Sequence, residues 1–166
     1  MDCVIFATGF AVDAGRSRAG GFPVVGRDGE LLADKWAGGV RSLHGILTAG
    51  FPNLFAVGGI SQATVTISFT HTVDEQASYV ATVIRYCLDR GIRSVEARPE
   101  AEERWSAHLK ERAAGLPPQP ELGCVSESTT QLLASGHPRG PLEYMQECRD
   151  WLAVGGIVRD LVLSAD

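Results

Sequence analysis

The run Cys3-Val4-Ile5-Phe6-Ala7, closed by Thr8 and Gly9, constrains this chain more than any other stretch. Unbroken apolar residues bounded by glycine read as a strand buried on both faces, the pattern of a parallel sheet interior. Parallel neighbours arrive through crossovers of about a dozen residues or more. The partners of this strand therefore lie downstream or are missing from the chain.

A second run of the same kind is Ala49-Gly50-Phe51-Pro52-Asn53-Leu54-Phe55-Ala56-Val57-Gly58-Gly59, which reads as a turn, a buried strand and glycines. Open α/β sheets bind ligands at the carboxyl ends of their strands. Ala7 to Gly9 and Val57 to Gly59 are thus expected at adjoining strand ends, lining one crevice. Between the two runs, residues 11 to 41 carry seven glycines. There Phe22-Pro23-Val24-Val25 and Glu30-Leu31-Leu32 flank Gly26-Arg27-Asp28-Gly29, which predicts a small surface hairpin with Trp36 packed against it.

The clearest helix signal follows. Val73, Ala77, Val80, Ala81, Ile84, Cys87 and Leu88 recur at intervals of three and four, and Gly91 is placed as the stop. The stripe Val73, Ala77, Val80, Ile84 and Leu88 is expected to pack on the sheet. Thr72-Val73-Asp74-Glu75 has the form of a capping box, although an earlier start near Thr66 to Ser68 is favoured. Arg93 to Ala97 is strand-like, and Pro99 opens a second helix. Its apolar face is Ala101, Trp105, Leu109 and Ala113, with Glu100, Glu102, Glu103, Lys110, Glu111 and Arg112 mostly solvated. Leu116 to Pro120 forms a proline-rich linker. A third helix follows Pro141, with Leu142, Met145, Cys148 and Leu152 on one face and Trp151 beside them, before a strand from Val158 to Leu163. The organisation expected is a main part, residues 1–115, and a helix–strand tail, residues 116–166.

Charge and cysteine usage exclude several classes. A formal net charge of −5, with no local Lys/Arg cluster, gives no footprint for nucleic acid. No run reaches the ~18 apolar residues of a membrane span and no basic segment leads into an apolar one, so the cytoplasm is the expected location. Cys3, Cys87, Cys124 and Cys148 lie far apart without C-x-x-C or a histidine at ligand spacing, which predicts reduced thiols and no metal site. His71 reads as a polar first-turn residue of its helix and not as a general base. His44, His108 and His137 have still less context.

Asp2-x-x-x-x-Ala7-Thr8-Gly9-Phe10 resembles the motif that ends the nicotinamide-nucleotide domain of flavin-dependent monooxygenases of the Baeyer–Villiger and flavin-containing type. Gly50-Phe51-Pro52-Asn53-Leu54-Phe55 resembles the phrase that leads into the last strand of their flavin domain. Ser68-Phe69-Thr70-His71-Thr72-Val73-Asp74-Glu75-Gln76 is similar to the family pattern Asn-Phe-Thr-His-x-x-Asp-Glu-Gln, with Ser68 in place of asparagine and Ile60 where proline is frequent. Glu96-Ala97-Arg98-Pro99-Glu100-Ala101-Glu102 resembles the stretch before a helix on the outside of that domain. The resemblance covers roughly residues 2 to 115.

It implies an α/β fold, namely an incomplete FAD/NAD(P)-binding, Rossmann-like domain with a β-hairpin excursion and C-terminal helices. It further implies FAD and NADPH as the cofactors of the intact enzyme and a small-molecule substrate. Ala7, Thr8, Gly9, Gly58, Gly59, Ile60, Thr66 and Ser68 are the implied cofactor contacts, and no residue is assigned a catalytic role. The helix N-terminus beyond the second glycine turn would point toward the flavin, whose reduced form carries negative charge near its pyrimidine edge. The chain holds no Gly-x-Gly-x-x-Gly, so the usual pyrophosphate turn is absent. Two readings follow: the C-terminal portion of a flavin- and NADPH-dependent monooxygenase acting on a ketone or soft nucleophile, or a non-catalytic remnant. The second would pair with itself or with a complementing chain.

Overall fold

The computed structural model describes residues 22–58, 62–63, 69–114 and 136–165. The opening strand, the linker at 116–120 and most of the tail up to 135 lie outside the described residues, as does the earlier start near Thr66 to Ser68.

The hairpin of the glycine-rich segment is a single antiparallel bridge, Val25 to Leu31, around a short 3-10 turn at Arg27–Gly29. Instead of a second strand, a short helix, α1, follows at Leu32–Lys35. Trp36 is half-buried and donates from Nε1 to the Arg41 carbonyl at 2.9 Å. The second predicted strand is likewise reduced to one bridge among the described residues, Leu47 to Phe55. The glycines and the proline of this region favour turns over a regular ladder.

Helix α2 spans Phe69–Leu88. Thr72 to Glu75 therefore lie inside it, and the capping-box reading of that tetrad is incorrect. At its far end Gly91 N–H donates to Leu88 O (3.3 Å) and Ile92 N–H to Cys87 O (2.9 Å), the paired bonds of a Schellman ending, as the placement of Gly91 predicts. Strand β1, Ser94–Ala97, leads into α3, Pro99–Ala113, with Pro99 in the first turn. Helix α4, Pro141–Ala153, is followed by the short α5, Gly156–Asp160, and by strand β2, Leu161–Ser164. The predicted strand from Val158 thus starts three residues later, because Val158 belongs to α5.

Strands β1 and β2 pair antiparallel, with Val95 opposite Leu163 and Ala97 opposite Leu161. This is the sheet among the described residues, so the tail and the main part share one core. That core joins Leu43, Ile46 and Leu47 with Tyr79 and Val83 of α2, Val95 and Ala97 of β1, Trp105 and Leu109 of α3, and Tyr144, Met145 and Trp151 of α4.

Three expected faces need correction. Helix α2 buries Thr72, Gln76, Tyr79, Val83 and Cys87, whereas Ala77, Ala81, Ile84 and Leu88 face solvent. Both sets satisfy helical spacing, and packing selects the one that carries the aromatic ring and the amide. In α4, Leu142 is 80% exposed and Tyr144 takes the buried place. In α3, Glu102 is buried, while Ala113 is exposed. Among the described residues no helix is long and apolar enough to cross a membrane.

Candidate functional site

The Gly-Phe-Pro-Asn turn is held from three sides. Asn53, at φ 60°, mimics a strand partner for β1: its N–H donates to Val95 O (2.8 Å), its Oδ1 accepts from Val95 N–H (3.0 Å), and its Nδ2 donates to Arg93 O (3.0 Å). Two buried carboxylates take the preceding amides. Gly50 N–H donates to Glu96 Oε2 at 2.7 Å, and Ala49 N–H to Glu102 Oε1 at 2.6 Å. Arg27 completes the Glu96 contact, with Nη2 2.5 Å from Oε1, and Lys35 Nζ reaches both Ala49 O (2.6 Å) and Glu102 Oε2 (3.2 Å). Burial pushes the Glu102 carboxyl above the usual range, partly offset by the Ala49 amide and Lys35. Gly26 permits the close approach, since a Cβ there would stand 2.5 Å from Gly50 O.

The chain runs from this turn past Ala56, whose N–H donates to Ile46 O at 2.8 Å, to the glycine turn. Gly58 is at φ 78°, and its N–H donates to Gln76 Oε1 at 2.8 Å. Gln76, fully buried on α2, donates from Nε2 to the Tyr144 hydroxyl at 3.2 Å, and that hydroxyl donates to His44 O at 2.8 Å. A line of buried polar groups thus ties the turn to α2, α4 and the loop at His44. Beyond the turn Gln62 is fastened as firmly. Its Oε1 accepts from Ser42 N–H (2.8 Å) and Oγ (2.9 Å), its Nε2 donates to Ser106 Oγ (2.8 Å), and its carbonyl accepts from Trp105 Nε1 (3.0 Å). Gly58 and Gln62 are therefore both held by the core.

His44 shares a hydrogen bond with the Tyr79 hydroxyl at 3.1 Å and stands edge-on to Trp105 and Trp151. Burial lowers its pKa to about 3, so it is a neutral core residue. Burial also raises the Tyr79 and Tyr144 hydroxyls well above their usual range, which keeps both as donors. Burial pushes the Cys148 thiol to about 12 and raises Cys87. Neither free thiol is a candidate nucleophile. The apolar cleft between α2 and α4, lined by Ile46, Tyr79, Tyr144, Met145 and Leu152, holds about 140 Å³. That is below the ~300 Å³ at which small-molecule sites begin.

One cluster crosses elements in a way that spacing does not reveal. His108 Nε2 and His137 Nε2 reach the two oxygens of Glu147 at 2.9 and 3.1 Å, and the three donor atoms lie within 4.8 Å of one another. Arg112 adds a contact to the same carboxylate at 3.4 Å. The set has the composition of a metal-ligand group. His137 meets Glu147 through Nε2, and its Nδ1 is buried without a partner. Burial lowers the His137 pKa, with Glu147 opposing. His71 is exposed on the first turns of α2, 3.9 Å from Glu75, as expected of a helix-surface residue.

Of the predicted cofactor contacts, Gly58 is described and sits as given above. Ala7, Thr8, Gly9, Gly59, Ile60, Thr66 and Ser68 lie outside the described residues. The sequence reading missed Gln76, Gln62, Glu96 and Glu102 as the residues that shape the two turns. For Gln76, Glu96 and Glu102 the signal available was their place within the resembling motifs, at the end of Asp-Glu-Gln and at both ends of Glu-Ala-Arg-Pro-Glu-Ala-Glu; Gln62 lies in none of them.

The chain matches no protein-family model. It is 42% identical over 114 residues to a Baeyer-Villiger monooxygenase of Streptomyces coelicolor, a match covering 68% of this chain and 19% of the relative. It is 38% identical over 110 residues to Baeyer-Villiger monooxygenase 4 of Dietzia sp., covering 66% of this chain and 18% of that protein. Pentalenolactone D synthase of Streptomyces exfoliatus aligns over 95% of the chain at 32% identity, again over only 28% of its own length. In structure, the NADP+-bound cyclohexanone monooxygenase mutant from Rhodococcus sp. Phi1 superposes with a TM-score of 0.72 at 26% identity, over 97% of this chain and 29% of that one. The polycyclic ketone monooxygenase of Thermothelomyces thermophila gives 0.69 at 29% identity, over 86% and 24%. The chain spans from just under a fifth to about three tenths of the length of the proteins that it matches. It is a relative of one segment of the flavin-dependent monooxygenases of the Baeyer–Villiger type.

Proposed function

We propose that the chain acts as the C-terminal segment of a flavin- and NADPH-dependent monooxygenase that inserts one oxygen atom of dioxygen into a ketone or a soft nucleophile. The observation that carries this reading is the match to the Streptomyces coelicolor Baeyer-Villiger monooxygenase, supported by the pre-set turn at Gly58. Flavin and NADPH are named in relatives and neighbours, as in the FAD-binding monooxygenase of Hypomyces subiculosus and the NADP+-bound structure above. The finer fold is an incomplete Rossmann-like domain, and the place of action is the cytoplasm.

In this reading Gly58, Gly59 and Ile60, with Thr66 and Ser68, meet the edge of the flavin ring, and Ala7 to Gly9 meet it from a neighbouring strand. The Gly58 turn fits such a contact: its amide is taken up by Gln76, and a glycine lets the backbone come close to a flat ring. The flavin supplies the oxygen chemistry when bound. This chain's residues position and exclude. Gln76, Tyr144 and Gln62 hold the turn against the core, and the N-terminal N–H groups of α2 favour negative charge beyond it. The pyrophosphate is held by polypeptide outside this sequence.

The test is a chimera in which this chain replaces the matching segment of the Streptomyces coelicolor relative. NADPH consumption that rises on adding a ketone supports the reading. A chimera that folds and binds flavin but shows no ketone-dependent turnover argues for a non-catalytic remnant.

A further inference from the structure

Three segments bring two imidazoles and a carboxylate together. His108 comes from α3, Glu147 from α4, and His137 from the turn before α4, where its backbone N–H donates to Ala63 O at 2.5 Å. The two Nε2 atoms stand 2.9 and 3.1 Å from the oxygens of Glu147, and one donor atom from each residue lies within 4.8 Å of the others. Ligands at about 2.1 Å on a tetrahedral ion stand about 3.4 Å from one another, so both nitrogens are already near ligand spacing from the carboxylate. Packing also orients the rings. Trp105 stacks on His108 with centroids 5.4 Å apart and lies 5.9 Å from His137. The His137 side chain is fully buried, and Glu147 is the group that meets its Nε2.

We infer that His108, His137 and Glu147 form a site for a zinc-type divalent cation, bound by two imidazole nitrogens and the Glu147 carboxylate with a position left open to water. Two nitrogens and one carboxylate suit zinc, whereas magnesium and calcium require oxygen ligands. A path for entry exists, because His108 and Glu147 line an open cleft of about 330 Å³, and His108 is 33% exposed. Arg112 stands 3.4 Å from Glu147 but has a second partner in Glu143 at 3.2 Å, to which it can turn when a cation arrives. A cation on Nε2 of His137 leaves the ring proton on Nδ1, which has no acceptor. That missing contact is expected to hold the affinity about 10–100-fold below that of a site whose histidines are fully supported. Once bound, the ion links α3, α4 and the His137 turn, so it fastens the tail to the main part of the chain. The site uses no cysteine and none of the proposed cofactor contacts, and it is independent of the flavin reading.

The experiment titrates the full chain, stripped with EDTA and desalted, with Zn²⁺ near neutral pH in a calorimeter. One equivalent is expected to bind, and saturation is expected to raise the melting temperature by about 5 °C or more, while Mg²⁺ does neither. Co²⁺ in place of zinc is expected to give the visible absorption of a four- or five-coordinate ion with nitrogen and oxygen ligands. His108→Ala and Glu147→Gln, both at partly exposed positions, are each expected to weaken zinc binding at least about tenfold and to abolish the cobalt bands. Because a variant of the buried His137 can fail to fold, the wild-type cobalt spectrum and these two variants carry the test. His71→Ala, on the exposed surface of α2, should leave the affinity unchanged. Zinc binding of equal strength in the wild type and in the His108→Ala and Glu147→Gln variants overturns the inference, as does the absence of any binding. Loss of the bound equivalent in His71→Ala would place the ion elsewhere and overturn it too.

Discussion

The amide of Gly58 donates to Oε1 of Gln76 at 2.8 Å, across 18 positions of sequence, and fixes the entry to the glycine turn from the buried face of α2. Gln76 has no other task on that face than to answer two polar groups, Gly58 N–H and the Tyr144 hydroxyl. Gln76→Leu leaves both without that partner in a buried place and is expected to destabilise the chain by about 2–4 kcal/mol. Gln76→Glu keeps an acceptor for Gly58 and should lose less. Urea midpoints of the three proteins check the order.

Val83 and Ile84 are neighbours with opposite surroundings, fully buried and 40% exposed respectively. Val83→Ala is expected to cost about 1.5–3 kcal/mol, and Ile84→Ala in the same chain within about 0.5 kcal/mol. Equal losses would mean that α2 is rotated from the orientation described.

Glu96 joins two segments by accepting Gly50 N–H and the Arg27 guanidinium. Arg27 is half-exposed, so solvent screens its share, and most of the effect comes from the stranded amide. Glu96→Ala is expected to cost about 2 kcal/mol. Faster hydrogen exchange at Gly50, with that of α4 unchanged, is the local signature to measure.

Acid should weaken the fold through His44. Its pKa is about 3 in the folded chain against 6.5 for a free imidazole, so the unfolded state takes up the proton first. The stabilisation is complete above pH 6.5 and is lost progressively as the pH falls toward 3. Between pH 6 and 4 the loss is on the order of 1 kcal/mol per pH unit. His137, also lowered, adds to it with the same sign. Asp160 follows suit at lower pH: burial raises its pKa, but Arg159, the Trp151 indole and Arg104 outweigh this and hold it below the usual range. Glu102 opposes the trend, since its raised pKa favours the protonated carboxyl as acid is added. His44→Gln is expected to lower stability at pH 7 and to flatten the profile between pH 6.5 and 4, as read by denaturant midpoints along a pH series.

Much of this was legible in the residues. Pro99 and Gly91 mark helix boundaries by local chemistry, and they do so here. The four resembling stretches, at residues 2–10, 50–55, 68–76 and 96–102, carry the kinship with flavin monooxygenases. What periodicity cannot supply is a partner: α2 has apolar residues on two adjoining arcs, and only tertiary packing decides that Val83 and not Ile84 goes inward. Buried carboxylates are hidden for a related reason. Glu96 and Glu102 look solvated in a charged stretch, and the amides that accept their burial come from Ala49 and Gly50, some fifty positions away. The pairing of β1 with β2 and the meeting of His108 with His137 and Glu147 likewise join distant parts of the sequence. All eight cofactor contacts are proposals, and seven of them fall outside the described residues.

On the function proposed above, this chain contributes the ring-edge turn of a flavoenzyme and does not hold the dinucleotide by itself. A pyrophosphate is bound by a helix N-terminus reached through closely spaced glycines, and no such sequence is present. The direct measurement is the flavin-to-protein absorbance ratio after the purified chain has been incubated with excess FAD and desalted. The account predicts a ratio near zero, with no oxidation of NADPH. A yellow protein with near-equimolar flavin, consuming NADPH when a ketone is added, would contradict it.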